Sequence, residues 1–145
     1  MPANSDARLR EVELLKQQGI PTVYIDRDVG GARVSVVKTD NALAGRLAAQ
    51  AMLKELNGKG NIAVLGYKKG ILTTGVLQAA FIYAAIGGGL KIKVNEFLST
   101  RVGEARVKAF DILNNEENID AIFTANEITT VATILALRKT DKLGK

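Results

Sequence analysis

Apolar and polar positions along this chain follow two alternating periods, one helical and one strand-like, from end to end. Leu9, Val12, Leu15 and Lys16 trace one helical stripe, with Ser5 placed to cap it, Gly19 to stop it and Pro21 to prevent its continuation. Residues 22–25 read as a buried strand that ends in the polar run Asp26-Arg27-Asp28, and Gly30-Gly31 reads as a turn. A second strand, 33–38, leads to Asp40, an N-cap for a helix reaching Leu56, with Ala44, Leu47, Ala48, Ala51 and Leu56 on its inner side. Asn57-Gly58-Lys59-Gly60 ends that helix. A third strand at 61–65, a loop at 66–74 and a helix over 75–86 follow, broken by Gly87-Gly88-Gly89. Strand four spans 90–96, and Ser99 or Thr100 caps a helix carrying Val102, Ala105, Ala109, Phe110, Ile112 and Leu113. Strand five spans 119–124, and Asn126 caps a last helix over 127–139.

Strands alternating with helices predict a three-layer α-β-α fold with a mostly parallel, four- to five-stranded sheet of the flavodoxin-like kind. The 145 residues fit one domain, 1–145, with no internal repeat and no linker. A chain of this size can bury roughly two-thirds of its unfolded surface.

Composition narrows the chemistry. There is no Cys and no His, which removes disulfides, thiolate catalysis, the usual general base and the usual transition-metal ligand. No acidic cluster or calcium-loop pattern suggests a metal, no cofactor fingerprint is present, and no nucleophile elbow marks an enzyme. Gly66-Tyr67-Lys68-Lys69-Gly70 lacks the spacing of a phosphate loop. The formal charge of +5 comes from Lys and Arg interspersed with acids, and four Phe and three Tyr leave little for base stacking, so nucleic acid is not the expected partner. No stretch is long and apolar enough for a bilayer, and no export signal is visible, which leaves the compartment open.

The helix over 75–86 departs from an ordinary amphipathic pattern. Val76, Leu77, Ala80, Phe81 and Ala84 make one apolar stripe, while Ile82, Tyr83 and Ile86 put bulk on other faces. A helix apolar nearly all round needs cover on more than one side. Ile71, Leu72, Val76, Leu77, Ile82, Tyr83 and Ile86 are therefore the expected self-association surface of a homo-oligomer, with cover by a rearranged element or by the first helix as alternatives. Each large side chain buried there is worth about 1.5–3 kcal/mol.

Several segments, in order, resemble the type I periplasmic binding proteins for sugars and the related effector domains of LacI-type repressors, the ribose-binding-protein branch above all. They are Pro2-Ala3-Asn4-Ser5-Asp6-Ala7, Gly19-Ile20-Pro21-Thr22-Val23-Tyr24-Ile25-Asp26-Arg27, Thr39-Asp40-Asn41 with Ala44-Gly45, and Ala121-Ile122-Phe123-Thr124-Ala125-Asn126-Glu127. The resemblance implies that residues 1–37 are similar to the end of the family's first lobe and 38–145 to its second. It implies a ligand at the carboxyl ends of the strands, with Asp26, Arg27 and Asn126 contacting sugar hydroxyls. Thr100 falls near a position where an aromatic ring often packs on the sugar. On residues alone, Asp26-Arg27-Asp28 is a solvated turn, Asn126 an N-cap, and Thr100-Arg101 a cap with a surface charge.

The chain also departs from that pattern. Where the family has a T-x-x-E-R-x-x-G-F-x-x-A-I helix whose Arg grips the ligand, Leu77 replaces the Arg and Val76 the Glu, while Phe81 and Ala84 match. By the resemblance, much of the first lobe and a later G-F-D strand are missing, a pattern that suits a re-engineered lobe or a degenerate natural relative. The expectation is a sugar-binding lobe of a transporter receptor or regulator that binds weakly or has lost binding, and no enzyme. The alternative is an engineered or repurposed scaffold that self-associates through 75–86.

Overall fold

The computed structural model describes residues 5–140, 142 and 143; residues 2–4 and the side chain of Ser5, with its expected cap, lie outside the described part. The elements run α1 (Ser5–Gln17), β1 (Val23–Ile25), β2 (Ser35–Val37), α2 (Asn41–Glu55), β3 (Asn61–Gly66), α3 (Leu72–Gly87), β4 (Lys91–Phe97), α4 (Val102–Asn115), β5 (Ala121–Thr124) and α5 (Glu127–Lys139). All strand pairs are parallel, and they form two sheets, β1-β2 and β4-β3-β5. The chain accordingly divides into two compact units, one ending at Asp40 and the other starting at Asn41, where periodicity alone points to one sheet and one domain.

In the first unit α1 buries Val12 and half-buries Leu9 and Leu15, while Lys16 is exposed. Gly19, at φ 72°, closes the helix: its N–H donates to Lys16 O at 2.9 Å and the Ile20 N–H to Leu15 O at 2.9 Å. That is the paired bonding of a Schellman cap, and it needs the left-handed conformation glycine adopts without cost. The expectation of a buried first strand is corrected. Only Tyr24 of β1 is half-buried, and Ile25 is 81% exposed. Successive side chains of a strand point to opposite faces, and in this two-stranded sheet Val23 and Ile25 lie on the open face.

The second unit is the expected three-layer arrangement, built around β3. Ile62, Ala63, Val64 and Leu65 are all fully buried. Ile62 and Val64 join Ala49, Phe81, Ala85, Leu90 and Phe123 on one face of the sheet. Ala63 and Leu65 join Val94, Ala105, Ala109, Leu113, Ala132 and Ala136 on the other. The first face is covered by α2 and α3, the second by α4 and α5. The Phe81 and Phe123 rings stack with centroids 3.9 Å apart, tying α3 to β5.

Glycines set how closely α2 and α3 pack. A Cβ on Gly45 would lie 2.3 Å from Leu77 O and 2.9 Å from Phe81 N, and one on Gly88 would lie 2.4 Å from a Leu53 methyl. This contact turns α2 so that Gly45 and Ala49 face the core, with Ala48, Met52, Leu53 and Leu56 beside them. Leu47 and Ala51, expected inside, are exposed. The α3 helix begins at Leu72, so part of the expected loop is helical. At α4 the N-cap position is Arg101 and no side chain caps it, correcting the expected Ser99 or Thr100 cap.

Gly45 and Gly75 predict opposite outcomes for the same substitution. Gly45→Ala forces the α2–α3 contact apart and should cost about 1–3 kcal/mol in urea unfolding. Gly75 in α3 has nothing within 4 Å of its would-be Cβ, so Gly75→Ala should raise stability by about 0.5–1 kcal/mol.

Candidate functional site

Because every strand pair is parallel, the carboxyl ends of each sheet share an edge, the usual place for ligands in open α/β sheets. At the tips of β4 and β5 stand Thr100 and Asn126, flanking the end of β3. At the tip of β1 stand Asp26 and Arg27. The structure thus puts all four expected ligand residues at strand tips, two on each unit.

The β1 tip is tightly organised. The Asp26 N–H donates to Val37 O at 2.8 Å, and the Arg27 N–H folds back to Ile25 O at 2.9 Å. Asp26 is held at φ 71°, a conformation that costs a non-glycine residue about 1–3 kcal/mol and clusters at functional sites. The side chains of Asp26 and Arg27 are exposed and make no hydrogen bond or ion pair among the described residues. Asp28 behaves differently. Its Oδ1 accepts from the Gly30 N–H at 2.8 Å and its Oδ2 from Arg33 Nη2 at 2.7 Å. Arg33 Nη1 donates to Gly31 O at 3.1 Å, Tyr24 Oη donates to Gly30 O at 3.1 Å, and Arg33 Nε is buried without a partner. Read as a solvated turn, Asp28 instead closes the loop; the Asp28-Val29-Gly30 spacing, in which an Asp bonds the backbone two residues on, carried that signal.

Asn126 does the work of a cap. Its Oδ1 accepts from the Thr129 N–H at 3.1 Å while Thr129 Oγ1 accepts from the Asn126 N–H at 3.3 Å, a reciprocal capping box. That leaves the side-chain Nδ2 as the donor available to a ligand. Thr124 Oγ1 and Thr130 Oγ1 lie 2.6 Å apart beneath this turn. Thr100 is exposed and its hydroxyl is unengaged among the described residues, whereas Ser99 Oγ donates to Glu104 Oε2 at 2.7 Å. That bond, then the nearby Arg101, holds the Glu104 carboxyl below its ordinary pKa. At the root of the β3 and β4 tips, buried Gln78 donates to Asn95 Oδ1 at 2.8 Å, and Gly66 is required because a Cβ there would lie 2.4 Å from Gln78 Oε1.

A cavity of about 540 Å³ lies between β4 and α4, lined by Lys93, Glu96, Lys108, Asp111 and Glu116 among others; none of the four expected ligand residues lines it. Among the described residues no group of three or more acids could hold a metal ion, and no helix is long and apolar enough to cross a membrane. On α3, Leu77 and Ile82 are half-buried against the core, and Ile71 before it is half-buried. Leu72 (75%), Val76 (38%), Tyr83 (84%) and Ile86 (56%) are exposed.

Residues 1–145 match the periplasmic binding protein domain family, and the chain belongs to it. Among solved structures it is similar to the periplasmic component of an ABC-type sugar transport system from Hahella chejuensis, at 29% identity and a TM-score of 0.78 over 92% of this chain and 50% of that one. It is similar to an ABC transporter solute binding protein from Agrobacterium vitis with bound D-fucose, at 26% identity and a TM-score of 0.80 over 94% of this chain and 49% of that one. AraP, an arabinose binding protein from Geobacillus stearothermophilus, shares the fold with a TM-score of 0.88 at 22% identity, over 96% of this chain and 49% of that one. The chain spans about half the length of these proteins.

The Asp28 carboxyl is held below its ordinary pKa of 3.8, first by the Gly30 N–H and then by Arg33. A depressed carboxylate contributes stability that is present above the unfolded value and lost as pH falls through the lower folded value. NMR titration of the folded chain should show Asp28 ionising below 3.8, and Asp28→Asn should remove that part of the acid dependence of stability.

Proposed function

We propose that this chain is a carbohydrate-binding lobe that captures a small sugar at the tip of β1, with Asp26 accepting from hydroxyls and Arg27 donating to them; at the tips of β4 and β5, Asn126 Nδ2 and the Thr100 hydroxyl offer polar groups of the same kind. The observation that carries this reading is Asp26. A non-glycine residue stands at φ 71° with its carboxylate exposed and, like the neighbouring Arg27 side chain, unpaired among the described residues. Carboxylate and guanidinium groups make the stronger, charge-assisted hydrogen bonds, which suit a polyhydroxyl ligand. Membership of the periplasmic binding protein domain family and the D-fucose bound by the Agrobacterium vitis protein support the same ligand class. The chemistry is recognition without turnover, in keeping with a chain that has neither His nor Cys. Exposure of Asp26 and Arg27 keeps affinity low, near millimolar or about −4 kcal/mol, since tight small-molecule sites bury most of the ligand.

Calorimetry with D-ribose, D-galactose, D-fucose and L-arabinose tests this. At least one should bind, and Arg27→Ala should abolish the heat. Asp26→Gly should abolish it too, while relieving the strained backbone and raising stability by about 1 kcal/mol. Flat isotherms for all four sugars at high concentration reject the reading.

A second reading, self-association, is favoured by the face α3 leaves uncovered. Leu72, Val76, Ala79, Tyr83 and Ile86 are all exposed and repeat at alternating intervals of four and three residues, the seam spacing of paired helices. No charged residue occurs in α3, so a second copy laid on this face meets no like charge within it. Light scattering should then show a dimer in the wild type and a monomer in Tyr83→Glu/Ile86→Lys, chosen because both side chains are exposed. A monomeric wild type removes the idea.

A further inference from the structure

The ion pair at the β1 tip joins two residues that the sugar reading leaves unused. Asp28 and Arg33 flank the Gly30-Gly31 turn, at φ 83° and 79°, and their side chains are 30% and 31% exposed. Asp28 spends both carboxylate oxygens inside the loop, one on the Gly30 N–H and one on Arg33. Arg33 spends one Nη on Asp28 and the other on Gly31 O, so a single guanidinium bridges the side chain before the turn and the backbone within it. Tyr24 Oη bonds Gly30 O from the β1 side. A Cβ on Gly31 would lie 2.8 Å from a Leu9 methyl, so α1 limits the turn from behind. The segment from Asp26 to Arg33 is therefore held at its root by the Asp26 and Arg27 amides and at its far end by the Asp28–Arg33 pair.

We infer that Arg33, acting through Asp28, is a positioning residue for ligand capture: it holds the loop in the conformation that presents Asp26 and Arg27. The inference rests on the sugar reading of those two residues. Its physical content is preorganisation. Neither Asp28 nor Arg33 touches the ligand; with the loop already ordered, binding has to immobilise only the Asp26 and Arg27 side chains, and without the bridge it must order the backbone as well. Arg suits the task better than Lys because its planar fork serves two acceptors at once.

The full chain and its Arg33→Gln, Arg33→Lys and Asp28→Asn variants, titrated with the four sugars and followed by amide hydrogen exchange at Gly30, separate the possibilities. Arg33→Gln should weaken sugar binding about tenfold and speed Gly30 exchange by a similar factor. Arg33→Lys should recover part of both losses. Asp28→Asn keeps an oxygen for the Gly30 N–H, so it should weaken binding while slowing Gly30 exchange relative to Arg33→Gln. The melting midpoint at neutral pH should fall by no more than the small share that an exposed ion pair contributes, whereas a merely structural role predicts a loss of stability that accounts for the loss of binding. Undiminished binding by Arg33→Gln overturns the inference. If the wild type binds none of the sugars, the sugar reading fails, and Gly30 exchange then decides the positioning role: faster in Arg33→Gln supports it, unchanged overturns it.

Discussion

A strand buried on both faces must be satisfied by layers on both sides, and β3 imposes that condition on the second unit. Four consecutive residues, Ile62 to Leu65, are removed from water, alternating between two separate clusters. Each face needs its own helix pair, and each pair has to come close enough to leave no void. On one side this is achieved with alanines, Ala105 and Ala109 from α4 and Ala132 and Ala136 from α5. On the other it takes Gly45 against the backbone of α3 and the stacked rings of Phe81 and Phe123. Strand-tip geometry follows, because the parallel neighbours β4 and β5 inherit their register from β3.

The strand tips then divide into residues with a structural task and residues without one. Asn126 gives its oxygen to the α5 cap, Asp28 gives both oxygens to its own loop, and Gln78 and Gly66 interlock below the β3 tip. The side chains of Asp26, Arg27 and Thr100 have no such engagement among the described residues. Asp26 is placed at a backbone angle that glycine would occupy at less cost, and that cost, beside an exposed charge, is what supports the proposal that it is kept for contact.

Much of the architecture was legible because hydrophobic period reports which face of an element is covered. The five strands, the five helices and their order follow from it, and the Asn126 cap was legible from a polar residue at the head of a helical stripe. What periodicity misses is set by partners. The division into two sheets depends on which strands meet, and β1 reads as buried although Val23 and Ile25 face outward. Periodicity misplaces the inner face of α2 because Gly45 carries no hydrophobic signal, yet its missing side chain is what turns Leu47 outward. Among candidate ligand residues, Asp26, Arg27, Thr100 and Asn126 stand out through family resemblance. The Asp28–Arg33 bridge did not, since its two members are separated by a glycine turn whose closure only coordinates display.

The central claim is that the polar tip of β1 holds a small sugar. Chemical-shift mapping of the labelled chain during titration with a binding sugar tests it most directly. The expected result is that the amides of Asp26 and Arg27 move together and saturate with a common affinity. Shifts confined to the cavity around Lys93, Asp111 and Asn115, with those two amides unmoved, would contradict it.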